Sequence, residues 1–277
     1  MSKTLTNLFF IKSQLKNKLF KNSKVLLSYN ENFSFEEMLK DFKIGKHSNI
    51  FIHAGLKNIK QVTNLSYNLI TQKIVDNLQK IYNPIAIMAP TFTPSFRKSG
   101  VYSKLYSKAE YGVFSELFRQ ISVFRTDDAI HSIGIISSNL EQFKNLNYRD
   151  SFAEDGFFGQ FHKDTYILNI NTEYFVSTYM HYVEEIMNVP YKDKKKAVFK
   201  GVIFNEKNEL SEITQINHFY KYNTAINREK INNLLLKNNV IKYKTYNKIV
   251  VSCVNVKDLV DLLKNEIKQN PYYMVVF

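Results

Sequence analysis

Three short apolar runs, Ser48–His53, Pro84–Pro90 and Thr165–Ile170, are separated by stretches whose apolar residues recur at helical spacing. A short apolar run that does not alternate reads as a strand buried on both faces. Strands of that kind joined by helices build an α/β sheet. The periodicity predicts helices over Leu5–Leu19, from Ser34 onward, over Thr71–Tyr82, Tyr111–Arg119, Tyr174–Met187, Arg228–Leu236 and Lys257–Lys268. Ser34 opens its helix with Glu36 and Glu37 in the first turn, ahead of Met38. Val198–Phe204 and Lys248–Val256 are β-rich, and Ile130–Leu140 is compatible with strand or helix. No fixed-period repeat or low-complexity linker interrupts the pattern. The expectation is one α/β domain over 1–277 with a mixed sheet, residues 1–30 forming an N-terminal helical segment and 198–277 a less regular α/β part.

The 277 residues are 44% hydrophobic and 14% aromatic, enough for a sizeable core and far from a disordered composition. One cysteine, Cys253, excludes an internal disulfide and any multi-thiolate zinc site. No segment reaches the roughly 18 apolar residues of a membrane span. The apolar run Leu8–Ile11 is too short for a signal peptide, so a cytoplasmic location is expected. Lys and Arg outnumber Asp and Glu 38 to 25, a formal charge of +13, which draws polyanions: nucleic acid, anionic lipid or phosphorylated small molecules. A nucleic-acid-binding role is disfavoured, because most Phe sit in apolar runs and no recognised motif is present.

Several chemistries are missing. There is no Walker lysine loop, no Gly-x-Gly-x-x-Gly, no His-Glu-x-x-His and no Gly-x-Ser-x-Gly elbow. None of the six histidines pairs with another at metal-ligand spacing, so no metal is expected. What remains is a series of short blocks in order. They are Ile52-His53-Ala54-Gly55-Leu56, Met88-Ala89-Pro90-Thr91-Phe92-Thr93 and Gly112 to Arg119 containing Glu116. Then come Arg125-Thr126 with Ile130-His131-Ser132, Thr178 to Glu184 containing His181, and Val189-Pro190-Tyr191-Lys192.

In that order the blocks resemble the aminoglycoside 3-N-acetyltransferase (antibiotic N-acetyltransferase) family, with its His-Ser-Ser-Leu, Met-Pro-Thr-Phe-Thr, Arg-Ser-x-His-Pro-x-His-Ser and Thr-Ser-Leu-His-Leu-Ala-Glu motifs. The resemblance spans residues 52 to 192 and is loose after Lys200. It implies a three-layer α/β domain with a mixed central sheet flanked by helices, and acyl-CoA-dependent N-acyltransfer with acetyl-CoA or another short acyl-CoA as co-substrate. By the same resemblance His131 is the general base and Glu184 the carboxylate that orients it. His53, Gly55, Leu56, Thr91, Thr93 and Ser95 are expected on the coenzyme, and His181 and Glu116 on the acceptor; Asp128, three residues before His131, is read either as orienting it or as gripping the acceptor ammonium. His181 and Glu184, three apart on a helix, share a face and can also pair with each other. The chain departs from the family where Ala54-Gly55 replaces Ser-Ser and Asp128-Ala129 replaces His-Pro.

The acceptor does not follow from the name. A polycationic aminoglycoside is repelled at long range by a +13 protein, whereas a nucleotide-linked amino sugar carries a diphosphate. The reading from charge is therefore N-acylation of an amino sugar in surface-polysaccharide biosynthesis, with antibiotic modification as the alternative. A homodimer is one assembly this reading allows.

Overall fold

A computed structural model describes residues 29–193, 195–221 and 223–277; the helix expected at Leu5–Leu19 lies outside them. In chain order, helix α1 (Phe35–Leu39) precedes strand β1 (Asn49–Ala54), helices α2 (Lys57–Thr63) and α3 (Tyr67–Tyr82), and β2 (Ala86–Pro90). Then come α4 (Phe96–Ser99), β3 (Val101–Ser103), α5 (Val113–Ile121), β4 (Phe124–Arg125), β5 (Ile133–Ser137), α6 (Phe157–Gln160) and β6 (Thr165–Ile170). The remainder is α7 (Tyr179–Ile186), β7 (Ala197–Phe204), β8 (Leu210–Asn217), β9 (Ala225–Ile226), α8 (Arg228–Lys237), β10 (Ile241–Tyr246), β11 (Ile249–Asn255), α9 (Val256–Gln269) and β12 (Val275–Val276).

Seven strands form a mixed sheet in the order β10-β11-β6-β1-β2-β5-β4. The three apolar runs are its parallel centre: β1 pairs with β2 and β6, with Ile50 opposite Ile87 and Tyr166. The antiparallel strands lie outside this centre, β5 on β2 and β11 on β6. Strand alternation then divides the core. Ile50, Ile52, Ile87, Leu168 and Cys253 face α1, α2, α3 and α5 on one side. Phe51, Met88, Ile135, Ile167 and Val254 face α7, α8 and α9 on the other. Each such side chain removed from water contributes about 1.5–3 kcal/mol, so the layering follows from the period-two pattern of the central strands. Among the described residues, nine α-helices flank the sheets, and no helix is long and apolar enough to cross a membrane.

Helix ends follow local chemistry. Ser34 caps α1 by accepting from the Glu37 amide at 3.1 Å. Helix α3 starts four residues earlier than its periodicity predicts, because Ser66 accepts from the Leu69 amide at 3.3 Å and supplies the cap. The stretch that reads as strand or helix is strand β5. The helix expected from Tyr174 begins only at Tyr179. The buried Asn169 side chain holds the preceding loop by accepting from the Val176 amide at 2.9 Å and donating to its carbonyl at 3.0 Å. Two strands that the periodicity does not single out, β8 and β10, are also present. β7 and β8 pair antiparallel, with β3 parallel on β7, to form a second, three-stranded sheet.

Candidate active site

The carboxyl ends of β1 and β2, together with the loops after β6 and before β5, open into a cavity of about 700 Å³. Open α/β sheets bind ligands at this edge, where strand ends leave loops free to carry polar groups. Helix α7 brings His181 to the wall and Glu184 behind it, since three residues make nearly one helical turn. Glu184 is fully buried, and His181 Nδ1 lies 2.9 Å from its Oε2. Lys192 Nζ reaches the same oxygen at 3.0 Å, and the Tyr220 hydroxyl lies 3.2 Å from both carboxylate oxygens. Burial alone would raise the Glu184 pKa. The hydrogen bond from His181 and the charge of Lys192 outweigh it and hold the carboxyl below its usual range. Tyr220 is pushed the other way, first by burial and then by the Glu184 charge, so its hydroxyl keeps its proton and donates.

An ionised Glu184 accepts only, which assigns the proton to His181 Nδ1. In the neutral ring Nε2 is then the acceptor nitrogen, and it has no protein partner among the described residues. His181 is partly exposed to the cavity, so this nitrogen is the basic atom offered to an incoming group.

The expected dyad joins His131 to Glu184, but among the described residues Glu184 bonds His181, Lys192 and Tyr220 and makes no hydrogen bond to His131. The Phe152 ring lies next to both imidazoles, with centroids 4.9 Å from His131 and 5.8 Å from His181. His131 lines the cavity, packed on Phe92 and Phe152. Its backbone N–H donates to Asp128 Oδ1 at 2.7 Å, while its Nδ1 stays 3.7 Å from Asp128 Oδ2, beyond hydrogen-bond reach. Asp128 is itself buried and accepts from the Ser151 hydroxyl, so it supports the His131 turn from below instead of meeting an acceptor.

The other expected contacts divide. His53 and Gly55 line the cavity. Burial, with the Arg228 charge as a lesser cause, lowers the His53 pKa to about 4, so its imidazole is neutral, and Nε2 has no partner. Gly55 answers a close approach, because a Cβ there would stand 2.7 Å from the Asn171 carbonyl oxygen. Leu56 is buried in the core under α2. Thr91 and Thr93 are buried too, tied to the Arg125 guanidinium through their hydroxyls at 3.1 and 2.7 Å. Their neighbours Pro90, Phe92 and Pro94 reach the cavity instead. Ser95 is exposed and outside the wall, its N–H donating to Glu110 at 3.0 Å. Glu116 is held to about 2 chiefly by its bond to Arg119, at 2.7 Å, and is spent on that pair and on the Ala109 amide.

Sequence reasoning missed Tyr220, Phe152 and His218 on the wall, none of which lies in a recognisable pattern. Lys192 ended a matched block without being read as part of the site. His218 sits between Glu185 Oε2 (2.8 Å from Nδ1) and Asp150 Oδ1 (3.2 Å from Nε2), and Lys196 bridges both carboxylates at 2.7 and 3.0 Å. Burial lowers the His218 pKa, but the two carboxylates outweigh it, so the value is raised and the ring is clamped between them. Donor atoms of Asp150, Glu185 and His218 lie within 4.8 Å of one another, a grouping that metals use, but the Lys196 ammonium already bridges the two carboxylates.

A cavity at the carboxyl edge of a parallel-centred sheet, with a carboxylate-paired histidine on its wall, is an α/β arrangement that general-base group transfer can use. The sequence model of aminoglycoside 3-N-acetyltransferase matches residues 51–268. The chain belongs to that family and is an acyl-CoA-dependent N-acetyltransferase. Solved structures share the fold. The chain is similar to aminoglycoside acetyltransferase AAC(3)-Xa, at 12% identity and TM-score 0.69 over 85% of this chain and 91% of that one. It is similar to AAC-IIIb, crystallised as a binary complex with CoASH, at 12% identity and TM-score 0.68 over 87% and 97%. It is also similar to YokD of Bacillus subtilis, at 16% identity and TM-score 0.63 over 85% and 98%. No curated protein sequence matches.

Proposed function

We propose that this chain transfers an acetyl group from acetyl-CoA to an amine of an aminoglycoside, with His181 as general base and Glu184 as the residue that orients it. The His181–Glu184 pair on the cavity wall carries the proposal. Acetyl-CoA supplies the acyl group as a thioester. The cavity residues fit such a co-substrate: His53 and Gly55 line it beside the β1 end, and Arg97 and Arg228 offer positive charge to its phosphates. His181 Nε2 takes a proton from the acceptor ammonium as the amine attacks, and Glu184 stabilises the imidazolium that forms. Tyr220 and Lys192 hold Glu184 ionised through this step. The buried β11 inserted in the central sheet, and α9 beginning directly after it, support treating 198–277 as part of the same domain.

The comparisons favour the antibiotic reading over an amino sugar of surface polysaccharide. One observation keeps a second acceptor class in view: the described wall carries no Asp or Glu, whereas Arg97, Lys192 and Arg228 all reach it. A polycation finds no counter-charge there, and an amino sugar linked to a nucleotide does. Thiol release from acetyl-CoA, followed with a panel of aminoglycosides and nucleotide-linked amino sugars, tests both. Release with any member supports N-acyltransfer and names the acceptor; no release with the whole panel contradicts it. Activity that vanished with chelator and returned with zinc would contradict the expected metal independence.

A further inference from the structure

We infer that Arg97 is a phosphate-recognition residue whose guanidinium fork takes a phosphate of a bound substrate. Its Nε donates to the Pro94 carbonyl at 3.2 Å, and its guanidinium lies 6.0 Å from the centroid of the Phe219 ring. Pro94, Arg97 and Phe219 all line the cavity, so the fork is held by the wall itself. The two terminal nitrogens have no hydrogen-bond or carboxylate partner among the described residues. Glu110, the carboxylate of this loop region, accepts from the Ser95 amide instead. A guanidinium pinned at Nε presents two parallel N–H donors in the geometry a phosphate accepts. The other cations of the wall differ. Lys192 is neutralised by Glu184, and His218 by Asp150 and Glu185. Arg228 also lacks a carboxylate among the described residues, but it is exposed at the start of α8 and no wall group fixes it. Arg97 is thus the pre-set anion contact of a wall without acids.

The phosphate can come from the coenzyme or from a nucleotide-bearing acceptor. The inference rests on the acyltransfer reading only for the choice of probes. Titration calorimetry with CoA, 3′-dephospho-CoA, pantetheine and uridine diphosphate, on the full chain and on Arg97→Gln and Arg97→Lys, tests it. Arg97→Gln is expected to weaken at least one phosphate-bearing probe by roughly 10- to 100-fold and to leave pantetheine unchanged. Arg97→Lys, which keeps the charge and loses the fork, falls between, and carries the test if the Gln variant does not fold. Loss confined to CoA assigns the phosphate to the coenzyme, and loss toward uridine diphosphate assigns it to the acceptor. Equal binding of all four probes by both variants and the parent overturns the inference, as does a parent that binds none of the three phosphate-bearing probes more tightly than pantetheine. Thiol release measured on the same samples fails or holds separately, so failure of the acyltransfer reading is distinguishable.

Discussion

Replacing Glu184 by Gln separates the two things this carboxylate does. The parent side chain is fully buried and accepts from three donors: His181 Nδ1 at 2.9 Å, Lys192 Nζ at 3.0 Å and the Tyr220 hydroxyl at 3.2 Å. Gln keeps one acceptor oxygen and turns an NH₂ donor toward one of those donors. It also leaves Lys192, 8% exposed at its side chain, without a counter-charge. Removing one partner of a buried pair costs about 3–5 kcal/mol, which for a chain of this size lowers Tm by roughly 6–20 °C at about 2–4 °C per kcal/mol. The rate falls for a different reason: His181 loses the partner that fixes its tautomer and stabilises its charged form, worth roughly 10²–10⁴-fold in turnover. The double variant Glu184→Gln, Lys192→Met removes the stranded cation along with the carboxylate. It should regain most of the lost Tm in calorimetric scans while thiol release stays low. A double variant that recovers rate and stability together would reduce Glu184 to a structural role. A single variant within about 1 kcal/mol of the parent would refute the buried-pair reasoning itself.

Two further outcomes follow from local geometry. Gly201→Ala places a Cβ on the Gly100 carbonyl and 2.7 Å from the Phe96 ring, so the β3–β7 pairing has to open; urea unfolding should show a loss of about 1–3 kcal/mol, and an unchanged midpoint would mean the two strands separate freely. The clamped His218 has its pKa raised above 6.5. Its contribution to stability is therefore complete below that value and is lost as pH rises through the folded-state pKa. Urea midpoints taken at several pH values from 6.5 upward should fall more steeply for the parent than for His218→Gln, and equal slopes would count against the clamp.

The layers of the fold were legible because β1, β2 and β6 are uninterrupted apolar runs, and only two-sided burial accounts for them. The end of α7 nearest the site was not, because the Asn169 side chain, seven residues earlier at the end of β6, accepts from the Val176 amide and keeps it out of the helix. His181 and Glu184 were both visible as a spacing, and their mutual pairing was one of the readings that spacing allowed. The structure pairs Glu184 with His181 and not with His131, and the Phe152 ring, in a loop without pattern, lies beside both imidazoles. Tyr220 and Lys192 complete the pocket around Glu184 from elements beyond α7, and no periodicity within one segment announces a contact made between segments. Charge was the weakest guide. The total of +13 says nothing of where cations are already neutralised, as Lys104 is by Asp127 and Glu206 at 2.8 and 2.5 Å.

The assignment of the base is tested most directly by measuring kcat/KM for thiol release in His181→Asn and His131→Asn side by side, with each variant's unfolding curve as a check on its fold. Asn preserves polarity and approximate shape while removing the titrating nitrogen. His181→Asn should lose roughly 10²–10⁴-fold, and His131→Asn, whose ring has no carboxylate within hydrogen-bond reach, should stay within about tenfold, or 1.4 kcal/mol of barrier. A folded His181→Asn enzyme that keeps the parent rate while His131→Asn is inactive would contradict the account and return the catalytic role to His131.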